Sequence, residues 1–179
     1  MAVEDKKPRS CQPCTACCDG WLNTNIQGHV VKPGQPCPHS TGSGCGIFPE
    51  RPEKPCRVFF CGWLREDSPL PDWMRPDKCG AIVFLWRDWH GHKVINAVPV
   101  GHEIPERTLE WLKDFAQKQG RPLMFVERIV EDEKYTGVRY FGFGPAEFCQ
   151  QVEKLRLHHQ QGELLQMYSG LREDVHSER

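Results

Sequence analysis

The chain has 179 residues, with 23 Lys and Arg against 24 Asp and Glu, so its formal net charge is -1. That length suits one domain, or a small module joined to a larger one. The near-neutral balance supplies no basic field for a phosphate backbone, no run of about eighteen apolar residues is available to span a bilayer, and Met1 to Ser10 lacks the apolar stretch of a secretory signal. The expectation is a cytoplasmic protein whose partner is neither nucleic acid nor a membrane.

Taken in chain order, residues 11–63 come first. They are rich in Cys, Gly and Pro and hold neither helical nor strand periodicity for long. Such a segment buries too little apolar area to offset its ordering entropy, so it needs a staple. Eight of the ten cysteines lie between Cys11 and Cys61. Cytoplasmic thiols are kept reduced, and disulfide frameworks spread their cysteines over the region they tie together, so clustering favours metal ligation. Metal binding also supplies folding free energy that the apolar content lacks.

The ligand pattern begins with Cys11-x-x-Cys14-x-x-Cys17-Cys18. Two intervening residues let a tight turn aim both thiolates at one ion, which is why the spacing recurs in zinc and iron–sulfur sites. The successive CxxC spacing matches the start of a ferredoxin-type run that a remote cysteine completes. Adjacent side chains point apart, so Cys17 and Cys18 are expected to serve different ions, or one of them to stand behind the other. Cys37, Cys45, Cys56 and Cys61 bring the count to eight, enough for two four-ligand sites whose membership the spacing leaves open. A four-thiolate zinc site is dianionic. Arg51, Lys54 and Arg57 are close enough in sequence to offset that charge. His39 is a substitute ligand in reach of Cys37. His90, His92 and His102 read as polar hairpin residues, His158-His159 suits a helix C-terminus, and Cys79 and Cys149 read as small buried hydrophobes.

At these residues the chain resembles the zinc- or iron-chelating domain family named for its CxxCxxCC motif. The resemblance rests on CxxCxxCC, a spaced cysteine, and Cys45-Gly-Ile-Phe-x-x-Arg51-Pro-x-x-x-Cys56-Arg-x-Phe-x-Cys61. It covers about a third of the chain, and Gly28 to Pro38 is shorter than in many relatives. What it implies is metal binding through Cys11, Cys14, Cys17, Cys18, Cys37, Cys45, Cys56 and Cys61, with zinc or iron, a 4Fe-4S cluster included, as the cofactor. It implies nothing about the part after Cys79. Two other functions compete: a thiol–disulfide redox switch, and the metal-bearing part of a protein-modifying or redox enzyme. With no glycine-rich nucleotide loop and no nucleophile–base pair, a binding role is expected over an enzymatic one.

Residues 64–78 contain three prolines and read as a connector, although Trp63, Leu70, Trp73 and Met74 need cover from water. From residue 79 to 170 the pattern becomes α+β. Ala81 to Trp86 and Val94 to Val100 predict a hairpin turning at Asp88 to His92, with Pro99 at a strand end. Pro105 to Gln119 predicts a helix stopped by Gly120. Leu123 to Val130 and Gly137 to Phe143 predict a second hairpin, turning at Glu131 to Thr136. A second helix is expected from Pro145 toward Tyr168. The expected fold is therefore α+β, a loop-dominated cysteine-rich metal module followed by an antiparallel hairpin–helix–hairpin–helix (ββαββα) region with both helices on one face of the sheet.

Overall fold

The computed structural model describes residues 8–157. Its frame is a four-stranded sheet of β3 (Ala81–Trp89), β4 (His92–Pro99), β5 (Leu123–Glu131) and β6 (Lys134–Phe143), in that spatial order. The fold is α+β, as the residue pattern predicts. Each hairpin closes with a two-residue turn whose residues both have positive φ, His90-Gly91 and Asp132-Glu133. This turn geometry matches the right-handed twist of the strands it joins. The strands run further than the apolar runs at their turn ends, where polar residues such as Asp88, Lys93, Glu131 and Lys134 continue the pairing.

Two features differ from the expected sheet. The hairpins are antiparallel, but β4 and β5 pair in parallel, Ile95 against Leu123 and Ala97 against Phe125. A 14-residue helix, α2 (Glu106–Gln119), separates them. A crossover of that length carries the chain back to the same end of the sheet, which makes the next strand parallel. The helices also lie on opposite faces. Side chains alternate along β6, so positions 142 and 143 face opposite ways. Position 142 lies against Val152 of α3 (Ala146–Leu157), 3.2 Å from where a Cβ would stand, whereas the Phe143 ring lies 5.9 Å from the Lys113 ammonium of α2. The crossover commits α2 to one face, and α3, which follows a hairpin, returns over the other. The expected continuation of α3 toward Tyr168 and the His158-His159 pair lie outside the described residues.

The cysteine-rich stretch and the 64–78 segment share one apolar core with the sheet. Ala16, Leu22, Cys61, Trp63, Leu70 and Met74 pack with Ile82, Val83, Leu112, Leu123 and Phe148. From Trp73 an aromatic ladder passes along α2 through Trp111 and Phe115 to Trp86. Three anchors join the parts. Gly62 N–H donates to Val83 O at 2.6 Å on the free edge of β3, an approach so close that a Cβ there would stand 2.8 Å from the same oxygen. The Arg9 guanidinium donates to Trp63 O and Leu70 O, both at 2.7 Å. Arg128, buried on β5, donates to Trp21 O at 2.7 Å while its cation lies 5.3 Å from the Trp21 ring.

Within the cysteine-rich stretch the sequence pattern hid a small hairpin, β1 (Thr24–Ile26) and β2 (His29–Val31). Its turn, Gln27-Gly28, also has two positive φ values. Ile26 and Val31 are buried with Cys37 in a second, smaller apolar cluster. α1 (Pro76–Cys79) is a single turn that leads into β3. Among the described residues no helix is long and apolar enough to cross a membrane.

Candidate metal centre

Loops rather than regular elements position the cysteines. A wide helical turn, Cys17–Trp21, carries Cys17 and Cys18, and Gly20 ends it at φ +92°. A Cβ at Gly20 would stand 2.0 Å from Lys32 O, so the turn seats against the end of β2 only because that side chain is missing. Asp19 ties the turn to the next loop, accepting from Thr15 Oγ1 at 2.6 Å and Ser40 Oγ at 2.8 Å. Cys37 N–H donates to Cys18 O at 2.7 Å, and Ser40 bridges to Cys45. A second wide turn, Glu53–Arg57, holds Cys56 and packs on β1. Arg57 clamps the approach to it by donating to Arg51 O and Pro49 O.

These loops bring Cys11, Cys14, Cys17, Cys18, Cys37, Cys45, Cys56 and Cys61 to the wall of one partly enclosed cavity of about 110 Å³. All ten cysteines lie among the described residues, and none is in a disulfide. His39 borders the same cavity. Cys79 and Cys149 do not line the cavity: the Cys79 thiol is buried 3.3 Å from Met74 O and Ala81 O, and that of Cys149, on α3, lies 3.6 Å from Gly144 O. His90 and His92 pack beside Trp89 and Phe148 at the β3–β4 turn. The cysteines share a chamber without closing on a point. Among the described residues no three His, Cys, Asp or Glu side chains are grouped so as to hold an ion as they stand.

Burial dominates the electrostatics. It pushes Cys17 well above the usual thiol value of 9.0, and the neighbouring Cys61, Cys14, Cys18 and Cys11 push the same way. Burial raises Cys18 to about 12, aided by Cys37, Cys45, Cys56 and Cys11, and raises Cys61 to about 11. Burial also raises Cys11 and Cys14; the Arg51 charge opposes it at Cys11, and the backbone N–H groups of Ala16 and Asp77 oppose it at Cys14. An environment of this kind disfavours lone thiolates. A cation shared among them reverses that preference, because the charge it supplies lies closer than any solvent.

The wall also carries buried donors. Trp63 Nε1 and Arg51 Nε are both buried with no hydrogen-bond partner, and both residues border the cavity. Buried N–H groups are normally satisfied, so a pair left open beside clustered sulfurs suits N–H···S contacts to an anionic thiolate site. Arg51 also lies over the Phe48 ring at 3.8 Å, which orients it. Of the three cations expected to offset thiolate charge, Arg51 reaches the cavity, Arg57 holds a turn, and Lys54 is exposed. Sequence reasoning missed Arg75, which borders the cavity and pairs with Asp77 through two contacts of 2.6 and 2.8 Å. Of Trp63 it asked only cover from water. No local motif marks either residue: Arg75 arrives from the proline-rich segment by tertiary folding, and Trp63 stands two residues past Cys61.

Comparison of the chain with protein-family models, with curated proteins and with solved structures finds no match.

Proposed function

We propose that this protein binds zinc or iron, an iron–sulfur cluster included, through up to eight cysteine thiolates, in the manner of the CxxCxxCC chelating family it resembles. The observation that supports this reading is the convergence of all eight cysteines, drawn from positions as far apart as Cys11 and Cys61, on one cavity wall. Soft thiolates select zinc and iron over hard cations such as magnesium or calcium. The open donors of Trp63 and Arg51 supply the contacts that a dianionic four-thiolate site needs. When bound, the metal cross-links loops that have little apolar content of their own. The residues around it hold the thiolates, exclude water and offset their charge.

A thiol–disulfide switch fits less well. Reactive cysteines have lowered pKa values and access to solvent, whereas the cavity cysteines with shifted values are raised by burial. Thiolate metal sites of this kind belong in a reducing compartment, so we place the protein in the cytoplasm.

Anaerobic purification followed by elemental analysis and a visible spectrum tests the reading. A brown protein with broad visible absorption and bound iron and sulfide is the cluster form, and a colourless protein with stoichiometric zinc is the other expected result. Folded protein with neither metal overturns the proposal.

A further inference from the structure

The cavity is shared, but the packing behind it is not. Cys61 is buried in the main core, and Cys14 and Cys17 pack against that same core. Cys37 is buried in the separate cluster under the β1–β2 hairpin, and Cys18 and Cys56 pack against it. Each group of three thus stands on its own apolar floor. Two cysteines then remain, Cys11 and Cys45.

Their placement follows from their neighbours. Cys45 is tied by a backbone bridge to Ser40, whose N–H donates to Cys37 O, so it moves with the hairpin group. Cys11 stands three residues from Cys14, the spacing that aims two thiolates at one ion. All eight line one cavity, so the two groups adjoin.

Resting on the metal-binding reading above, we propose that the eight cysteines form two adjoining four-thiolate sites, one of Cys11, Cys14, Cys17 and Cys61 and one of Cys18, Cys37, Cys45 and Cys56, divided at the Cys17–Cys18 peptide. Each site takes one soft cation centre, zinc or iron. For a divalent ion the balance is simple: four thiols give up four protons to solvent as four metal–sulfur bonds form. The first site has the sequence order of a cluster site, three closely spaced cysteines and one remote. The second gathers widely spaced cysteines around a hairpin.

The test uses the full chain, stripped with a chelator, reduced and anaerobic, titrated with Co²⁺ alone. Two equivalents with tetrahedral tetrathiolate absorption are expected. Cys17→Ser should alter the absorption of one equivalent and Cys18→Ser that of the other. The Cys14→Ser/Cys17→Ser double variant should still disturb one equivalent, and Cys17→Ser/Cys18→Ser should disturb both. Because a serine variant can fail to fold, the unsubstituted chain is also loaded with less than one equivalent of Zn²⁺ and alkylated. Molecules with four protected cysteines should carry one set intact, read by peptide mass. Reconstitution with iron and sulfide in parallel tells a cluster from zinc in the first set. Protection that mixes the sets, such as Cys17 with Cys37, overturns the partition while leaving metal binding standing. A wild-type chain that takes up no Co²⁺, Zn²⁺ or iron removes the metal reading, and the partition with it.

Discussion

Cys17 and Cys18 are consecutive in the chain, yet Cys17 packs against the core that the sheet shares and Cys18 against the small cluster of Ile26, Val31 and Cys37. The wide turn that carries them makes this divergence possible, and its geometry depends on residue 20. Gly20→Ala would place a methyl 2.0 Å from Lys32 O at a φ of +92°. We expect a loss of more than about 2 kcal/mol, from left-handed strain and displaced backbone together. Urea denaturation followed by tryptophan fluorescence reads it, and an unchanged midpoint would show that the turn is not held this tightly.

Arg128→Ala should destabilise the metal-free chain by about 2–3 kcal/mol, the usual cost when a charged donor leaves buried acceptors. Its guanidinium holds Trp21 O at 2.7 Å, and that contact is a main link between the cysteine-rich stretch and β5. Arg128→Lys should recover little, because a single ammonium cannot both reach that carbonyl and lie as a plane over the Trp21 ring. Equal stability of the alanine variant and the parent would contradict this.

Arg51 stands beside Cys11 and lowers its thiol against the effect of burial. Arg51→Met should therefore weaken metal retention roughly tenfold, measured by competition with a chelator. Lys54→Met, at an exposed position off the cavity, should change it little. Equal effects from the two variants would argue against a contact specific to Arg51.

Burial raises Cys11, Cys14, Cys17, Cys18 and Cys61, with Cys18 at about 12 and Cys61 at about 11 against an ordinary 9.0. At neutral pH these thiols keep their protons until metal displaces them. Apparent affinity should then fall at least roughly tenfold for each pH unit lost, with proton release visible as calorimetric heats that change with buffer. For the metal-free chain the sign is opposite. Groups raised in the folded state stabilise fully below the unfolded value near 9.0, and that stability is lost as pH rises through about 11 to 12. Affinity independent of pH between 6 and about 8 would contradict proton-coupled thiolate binding.

Cys149→Ser should leave bound metal unchanged, because that thiol lies on α3 beside Gly144 O, away from the cavity wall. Cys56→Ser, at the cavity, should reduce it. Metal analysis of the two proteins side by side distinguishes them, and a stoichiometric loss in the Cys149 variant would overturn the assignment.

Much of the sheet was legible because its signals are local. Gly120 stops α2, Pro99 ends β4, and apolar runs rich in β-branched and aromatic residues mark both C-terminal hairpins. The parallel pairing of β4 and β5 was not legible, since it depends on where α2 lands after Gln119 rather than on any residue within either strand. The β1–β2 hairpin escaped because only three residues per strand pair and only Ile26 and Val31 are buried. At the cavity, spacing picked out the eight cysteines as candidates but not their grouping. That grouping follows from which side of one peptide bond faces which core. Arg75 and Trp63 carry no motif, so only tertiary contact places them at the wall.

The central claim is tested most directly by native mass spectrometry of the full chain isolated without air, before and after mild acid. The account predicts added mass equal to two zinc ions, two clusters or one of each, lost on acidification with the cysteine protons regained. A folded chain whose native mass is that of the polypeptide alone, with every cavity thiol open to alkylation, would contradict it.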